Sequence, residues 1–147
     1  MFTTQKSPQV LAEGRIRQFI QQWFQLLESK KTDPERFRPM LAQSHFALGF
    51  RGPGTNIRTF PEFRRWIKQQ NKRLSSSQHR LENVQIIEVA EGRIKAKVDL
   101  AWQGVNQAGI QMGGKLRHEW DLLETSEQFL RLENARVTML ETVEVWD

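Results

Sequence analysis

Three histidines, His45, His79 and His118, are the side chains here whose ordinary pKa lies closest to neutrality. Only His118 falls inside a clear alternation, with Leu116, Trp120 and Leu122 on its own parity and Lys115, Arg117, Glu119 and Asp121 on the other. An imidazole on an apolar face could move a proton to or from a carbon acid or a hydroxyl, which makes His118 the candidate general acid or base. The competing expectation is a histidine satisfied within the core or at a subunit interface. Alternation puts Asp99 and Asp121 on charged faces away from His118, and the chain has no tyrosine. His45 alternates opposite Phe46, Leu48 and Phe50, which predicts a surface position. His79, beside Arg80 at the expected start of a strand, is given no role.

Other chemistries are excluded by residue type. With no cysteine there is no disulfide, no thiol nucleophile and no thiolate metal site. The histidines lack the local pairing of a zinc site, so neither a metal nor another cofactor is expected. Gly52-Pro-Gly54 lacks the lysine and the spacing of a phosphate-binding loop, and no nucleophile elbow is present.

Binding chemistry rests on aromatic residues. Trp23, Phe63, Trp66, Trp102 and Trp120 are expected, with His118, to wall a cavity for a flat hydrophobic molecule, although stripes at these spacings also describe plain core. Arg51 and Arg58, flanking the Gly/Pro turn, are placed to meet a ligand carboxylate at the mouth, and solvent exposure explains them equally. Between Phe63 and Leu81 there is no acid, while Arg64, Arg65, Lys68, Lys72, Arg73 and Arg80 fall in that window, within a chain of formal charge +5. Such a run is more often the solvated face of a helix than a nucleic-acid site, since no nucleic-acid motif accompanies it.

The elements that must position these residues follow from periodicity. Ser7-Pro8 opens a long helix whose Ile16, Phe19, Ile20, Trp23, Phe24 and Leu27 keep helical spacing. Asp33-Pro34 caps a short helix that ends near Pro39-Met40, and residues 44–50 read as a strand leading into the Arg51–Gly54 turn. Thr59 and Glu62 match a capping box ahead of a helix carrying Phe60, Phe63, Trp66, Ile67 and Leu74. Ser75–Ser77 reads as a linker. Strands are expected at 79–90, 93–103, 110–124, 128–135 and 136–145, with a bulge or bend at Gly113-Gly114 and His118 opposite Ala96.

With 147 residues, 38% hydrophobic and 27% charged, the chain is expected to form one domain spanning 1–147. No apolar run approaches the roughly 20 residues that cross a bilayer, and the polar N-terminus lacks the apolar core of a secretory signal. A soluble protein of the cytoplasm, with no membrane partner, is the expectation.

Helices followed by an antiparallel meander make an α+β pattern, with the helices gathered on one face of a strongly curved sheet. In its order of elements the chain resembles the nuclear transport factor 2-like superfamily, including its SnoaL-like members. The likeness is carried by Trp23-Phe24, by Gly52-Pro-Gly54 before Thr59-Phe-Pro-Glu-Phe-Arg-Arg-Trp66, and by Leu116-Arg-His-Glu-Trp120 leading to Phe129-Leu-Arg-Leu132. It implies a cone-shaped domain around a deep apolar pocket, and a homodimer through the sheet. It does not imply a reaction, because the superfamily spans isomerases, dehydratases, cyclases and proteins without catalysis. The ketosteroid-isomerase arrangement needs a tyrosine donor that this chain does not have.

Three functions are therefore carried forward. The first is binding of a small hydrophobic or aromatic molecule. The second is a lyase or isomerase with His118 as general acid or base. The third is a protein- or RNA-interaction module using the basic helix over residues 64–73, with nucleic acid the less expected partner.

Overall fold

Three helical segments lie against one six-stranded sheet in the computed structural model, which describes residues 8–29, 32–49, 56–125 and 129–143. Ser7, Phe50, Arg51 and the Gly52-Pro-Gly54 turn lie outside the described residues. Helix α1 spans Pro8–Glu28 and buries Ala12, Ile16, Phe19, Ile20, Trp23 and Phe24, the stripe its 3.6-residue period dictates. A short 3₁₀ helix, Pro34–Met40, starts where the Asp33 carboxylate accepts the Glu35 N–H at 3.0 Å. Helix α2 spans Phe60–Arg73 and begins with the expected capping box. Thr59 Oγ1 accepts from the Glu62 N–H at 3.3 Å, and the Glu62 carboxylate accepts from the Thr59 N–H at 3.1 Å.

The strands are β1 (Ala47–Gly49), β2 (Asn56–Ile57), β3 (Leu74–Ala90), β4 (Arg93–Asn106), β5 (Gln111–Glu124) and β6 (Leu130–Val143), in spatial order β2-β1-β6-β5-β4-β3. All neighbours pair antiparallel except β1 with β6, which run parallel. Gly92, at φ 75°, makes the tight turn between β3 and β4. The inward residues Ile94, Ala96, Val98, Leu100, Trp120, Leu122, Leu132 and Ala135 meet the helices in one core. Each large apolar side chain so buried contributes about 1.5–3 kcal/mol.

Four expectations are corrected. Ser75–Ser77 is not a linker: β3 starts at Leu74, and Ser76 and Ser77 pair with Val105 and Gly104. The two last strands are one, β6, because its ladder with β5 continues through residues 135 and 136. Register runs unbroken across Gly113-Gly114. The irregularities that bend the sheet lie instead in β3, at Leu74/Ser76, Leu81/Asn83 and Ile86/Glu88, and between β5 and β6 at Lys115/Leu116 and Asp121/Leu122. His118 faces Val98 rather than Ala96, since the β4–β5 turn is centred farther along, where Asn106 Oδ1 accepts from the Ala108 and Ile110 N–H groups.

A glycine on the neighbouring strand β4, Gly104, has a packing role. Trp102 pairs with Gly114, and a Cβ on Gly104 would sit 2.6 Å from the Trp102 indole. Gly104 thus leaves the sheet surface clear for the Trp102 ring. Among the described residues no helix is long and apolar enough to cross a membrane.

Candidate functional site

The curved sheet and the two long helices enclose a cavity of about 390 Å³, within the range of small-molecule sites. Helix α1 supplies Trp23, Phe24, Leu27 and Glu28 to its wall, and α2 supplies Trp66, Gln70, Asn71 and Arg73. From the sheet come Ser77 and His79 of β3, Trp102 of β4, and Leu116, His118 and Trp120 of β5, with Leu132, Ala135, Val137 and Met139 of β6 behind them. Of the aromatic residues singled out from sequence, Trp23, Trp66, Trp102 and Trp120 line this space. Phe63 does not. It is fully buried behind the wall, its ring 5.1 Å from Phe37 and 5.9 Å from both Trp23 and Trp66. The expected contribution of Arg51 falls outside the described residues. His45 is exposed, as its parity predicts.

His118 is 7% exposed and lies on the cavity wall. Trp120, two residues along the same face of β5, donates its indole N–H to His118 Nδ1 at 3.1 Å. Burial, and then the neighbouring His79, push the His118 imidazolium pKa down to about 3, so the ring is neutral at physiological pH. A neutral imidazole that accepts at Nδ1 carries its proton on Nε2. The group left for an occupant of the cavity is therefore an N–H donor.

His79 is the residue the sequence reading passed over. It reaches the wall because β3 begins five residues earlier than expected, which places Ser77, His79 and Leu81 on the inward parity. Glu28, the last residue of α1, is one helical turn beyond Phe24 and on the same face. Its Oε1 accepts the His79 backbone N–H at 2.6 Å and lies 3.3 Å from His79 Nδ1. A carboxylate at that nitrogen holds the proton on Nδ1 and leaves the Nε2 lone pair free. Burial lowers the His79 pKa, opposed by the charge of Glu28 and by its hydrogen bond. The carboxylate in this part of the wall meets His79 and comes from a helix, where strand alternation could not reveal it.

Phe24 ties the two imidazoles together. Its ring stacks on His79 at 4.3 Å between centroids, meets His118 edge-on at 5.6 Å and stacks on Trp120 at 6.2 Å. On the far side of this pair, a second cleft lined by Arg17, Gln21, Gln25, Glu28 and His79 opens between α1 and β3. Trp102 is held by its indole N–H donating to Ser77 Oγ at 2.9 Å. Among the described residues no cluster of three or more histidine, aspartate or glutamate side chains is placed to hold a metal ion.

The basic helix is partly engaged within the fold. The Arg64 and Arg38 guanidiniums both bind the Glu35 carboxylate, and both lie over the Phe60 ring. Together they hold the Glu35 pKa down to about 2.

No protein-family profile and no curated protein sequence matches the chain. Solved structures do. A protein from Novosphingobium aromaticivorans, provisionally named a scytalone dehydratase, superposes with a TM-score of 0.80 at 8% identity, over 94% of this chain and 90% of that one. A Salmonella enterica protein of the nuclear transport factor 2-like superfamily gives a TM-score of 0.76 at 12% identity, over 88% and 92%. The chain has the nuclear transport factor 2-like fold. Hexachlorocyclohexane dehydrochlorinase LinA-type3 from Novosphingobium barchaimii shares this fold, at a TM-score of 0.77 and 7% identity over 92% and 91% of the two chains. The α+β fold expected from the element order, and the cone that the resemblance implies, agree with the fold observed.

Proposed function

We propose that this protein binds a small hydrophobic or aromatic molecule in the inner cavity and removes a proton from it, in a reaction of the lyase or isomerase type. His79 Nε2 is the base, Glu28 orients its ring and compensates the positive charge it acquires, and His118 Nε2–H donates a hydrogen bond to the charge that develops on the substrate. The observation that carries the reading is the pair of imidazoles on one cavity wall. The carboxylate at one and the indole N–H at the other give them opposite proton placement. In an elimination the C–H electron pair becomes the new double bond as the leaving group departs with its own pair, and the proton ends on His79. Loss of a proton and a neighbouring leaving group is what the names dehydratase and dehydrochlorinase describe in two proteins of this fold, which supports the reading by analogy.

The test begins with binding. In a panel of aromatic alcohols, ketones and halides, a true ligand should raise the melting temperature by several degrees at about 100-fold over its Kd. A panel that moves it by less than about 1 °C removes the binding reading. For a ligand that is converted, His79→Gln should lower turnover by roughly 10²–10⁴-fold while binding is kept. Wild-type turnover in that variant would take the base away from His79. Binding without conversion of any ligand would leave a binding protein of the kind first expected from the aromatic residues.

A further inference from the structure

Beyond the proton-transfer pair, the inner cavity has a second chemical feature at its edge. Arg73, the last residue of α2, lines it together with Gln70, Leu74 and Trp102, and the same four residues line an adjoining cleft of about 500 Å³. That cleft also carries Lys72 and the side chains of Asn106 and Gln107, and no aspartate or glutamate. Among the described residues, neither Lys72 nor Arg73 enters an ion pair. Two cations are thus placed at the edge of an apolar cavity with no carboxylate of their own element within reach, since the sequence from Phe63 to Leu81 is free of acids.

We propose that the border between cavity and cleft is a carboxylate-binding subsite, and that the ligand class is an aryl-substituted carboxylic acid. The ring fills the inner cavity against Trp66, Trp102 and Trp120, and the carboxylate meets the planar fork of Arg73, with Lys72 adding charge from the cleft side. Trp102, pinned by Ser77 Oγ and lying flat over Gly104, is the wall that separates the apolar end from the charged one. This rests on the inner cavity being the ligand site. It adds what the histidine pair cannot supply, an anchor that orients the ligand along the cavity.

Matched probes test it. Phenylbutyrate and the neutral phenylbutanol differ only in the group that would reach Arg73, and tryptophan fluorescence reads binding of both. In the wild type the acid should bind about 5- to 10-fold more tightly, as a partly exposed charge-assisted hydrogen bond allows. The preference should shrink in high salt. In Arg73→Gln/Lys72→Gln the acid should fall to the affinity of the alcohol, whose own binding is unchanged, and Arg73→Lys should recover only part of the difference. Equal affinities in the wild type, or an acid preference that survives the double substitution, overturns the subsite while the alcohol still reports an intact inner cavity. If neither probe binds, the cavity reading falls and this inference falls with it.

Discussion

His79 and His118 are the same side chain on neighbouring parts of one wall, and they are prepared for opposite work. On β5, an indole N–H occupies His118 Nδ1, and burial holds the ring neutral. On β3, a carboxylate from another element occupies the corresponding atom of His79 and opposes the same burial. The difference teaches that the partner at Nδ1, more than the depth of burial, decides what Nε2 can offer: a proton in one case, a lone pair in the other. It also explains why Phe24 matters, because its ring packs against both imidazoles.

The largest expected effect in the fold itself comes from taking that ring away. Phe24→Ala should destabilise the protein by about 3 kcal/mol, the low end for deleting a buried phenylalanine, because part of its surroundings is already cavity. Chemical denaturation measures the loss. Solvent admitted beside the rings should also move both imidazole pKa values up toward the ordinary histidine value, erasing much of the contrast between them. A variant of wild-type stability would mean that the rings are held by their hydrogen bonds alone.

How much of this was readable in the sequence differs sharply between the two histidines. The His118 face was legible because β5 alternates cleanly from Lys115 to Leu122, and the element order sufficed for an α+β fold with helices on one face of a curved sheet. The His79 site was not, for two physical reasons. Bulges in β3 break its inward set into Leu81, Val84, Ile86 and Val89, spaced three, two and three residues apart, so no period of two tells which face of the expected strand turns inward. Three serines then masked the strand start, although Ser76 and Ser77 pair with β4 and the side chains of Ser75 and Ser77 bond to β4 residues. Glu28 carried a usable signal, standing at i+4 from Phe24 on the apolar face of α1, yet nothing local tells that a carboxylate at a helix end will meet a strand fifty-one residues away. The bend expected at Gly113-Gly114 failed in an instructive way, since paired glycines permit a bulge without requiring one, and both keep their places in the ladder with β4.

A smaller effect sharpens the comparison through pH. His118 has a folded pKa of about 3 against an ordinary value of 6.5, so between those values the unfolded chain binds the proton and the folded chain does not. Its contribution to stability is complete above pH 6.5 and is lost as the pH falls from there toward 3, with a slope of up to about 1.4 kcal/mol per pH unit. His79, also lowered, adds to the same window, with the nearby Glu28 charge opposing it. His118→Asn keeps an oxygen to accept the Trp120 N–H and removes the titration. Urea midpoints measured from neutral pH down to the onset of carboxylate titration should therefore fall less steeply in the variant than in the wild type. Equal slopes would show that His118 is protonated in the folded state as readily as in the unfolded one.

The smallest effect is a shift rather than a loss, and it isolates the carboxylate. Glu28→Gln leaves an oxygen to accept the His79 backbone N–H but removes the charge that opposes burial, so the His79 pKa should move lower still. The charge on His118 should hardly respond, since its pKa is set first by desolvation and then by His79, with no direct contribution from Glu28. Nitrogen-detected NMR of the two rings reads both the pKa and the protonated atom. The expected spectrum has the proton on Nδ1 in His79 and on Nε2 in His118, with the His79 assignment weakened in Glu28→Gln because an amide oxygen is a poorer acceptor than a carboxylate. Finding both rings protonated at the same nitrogen, before and after the substitution, would abolish the division of labour. Catalysis would then have to come from a single imidazole without its carboxylate.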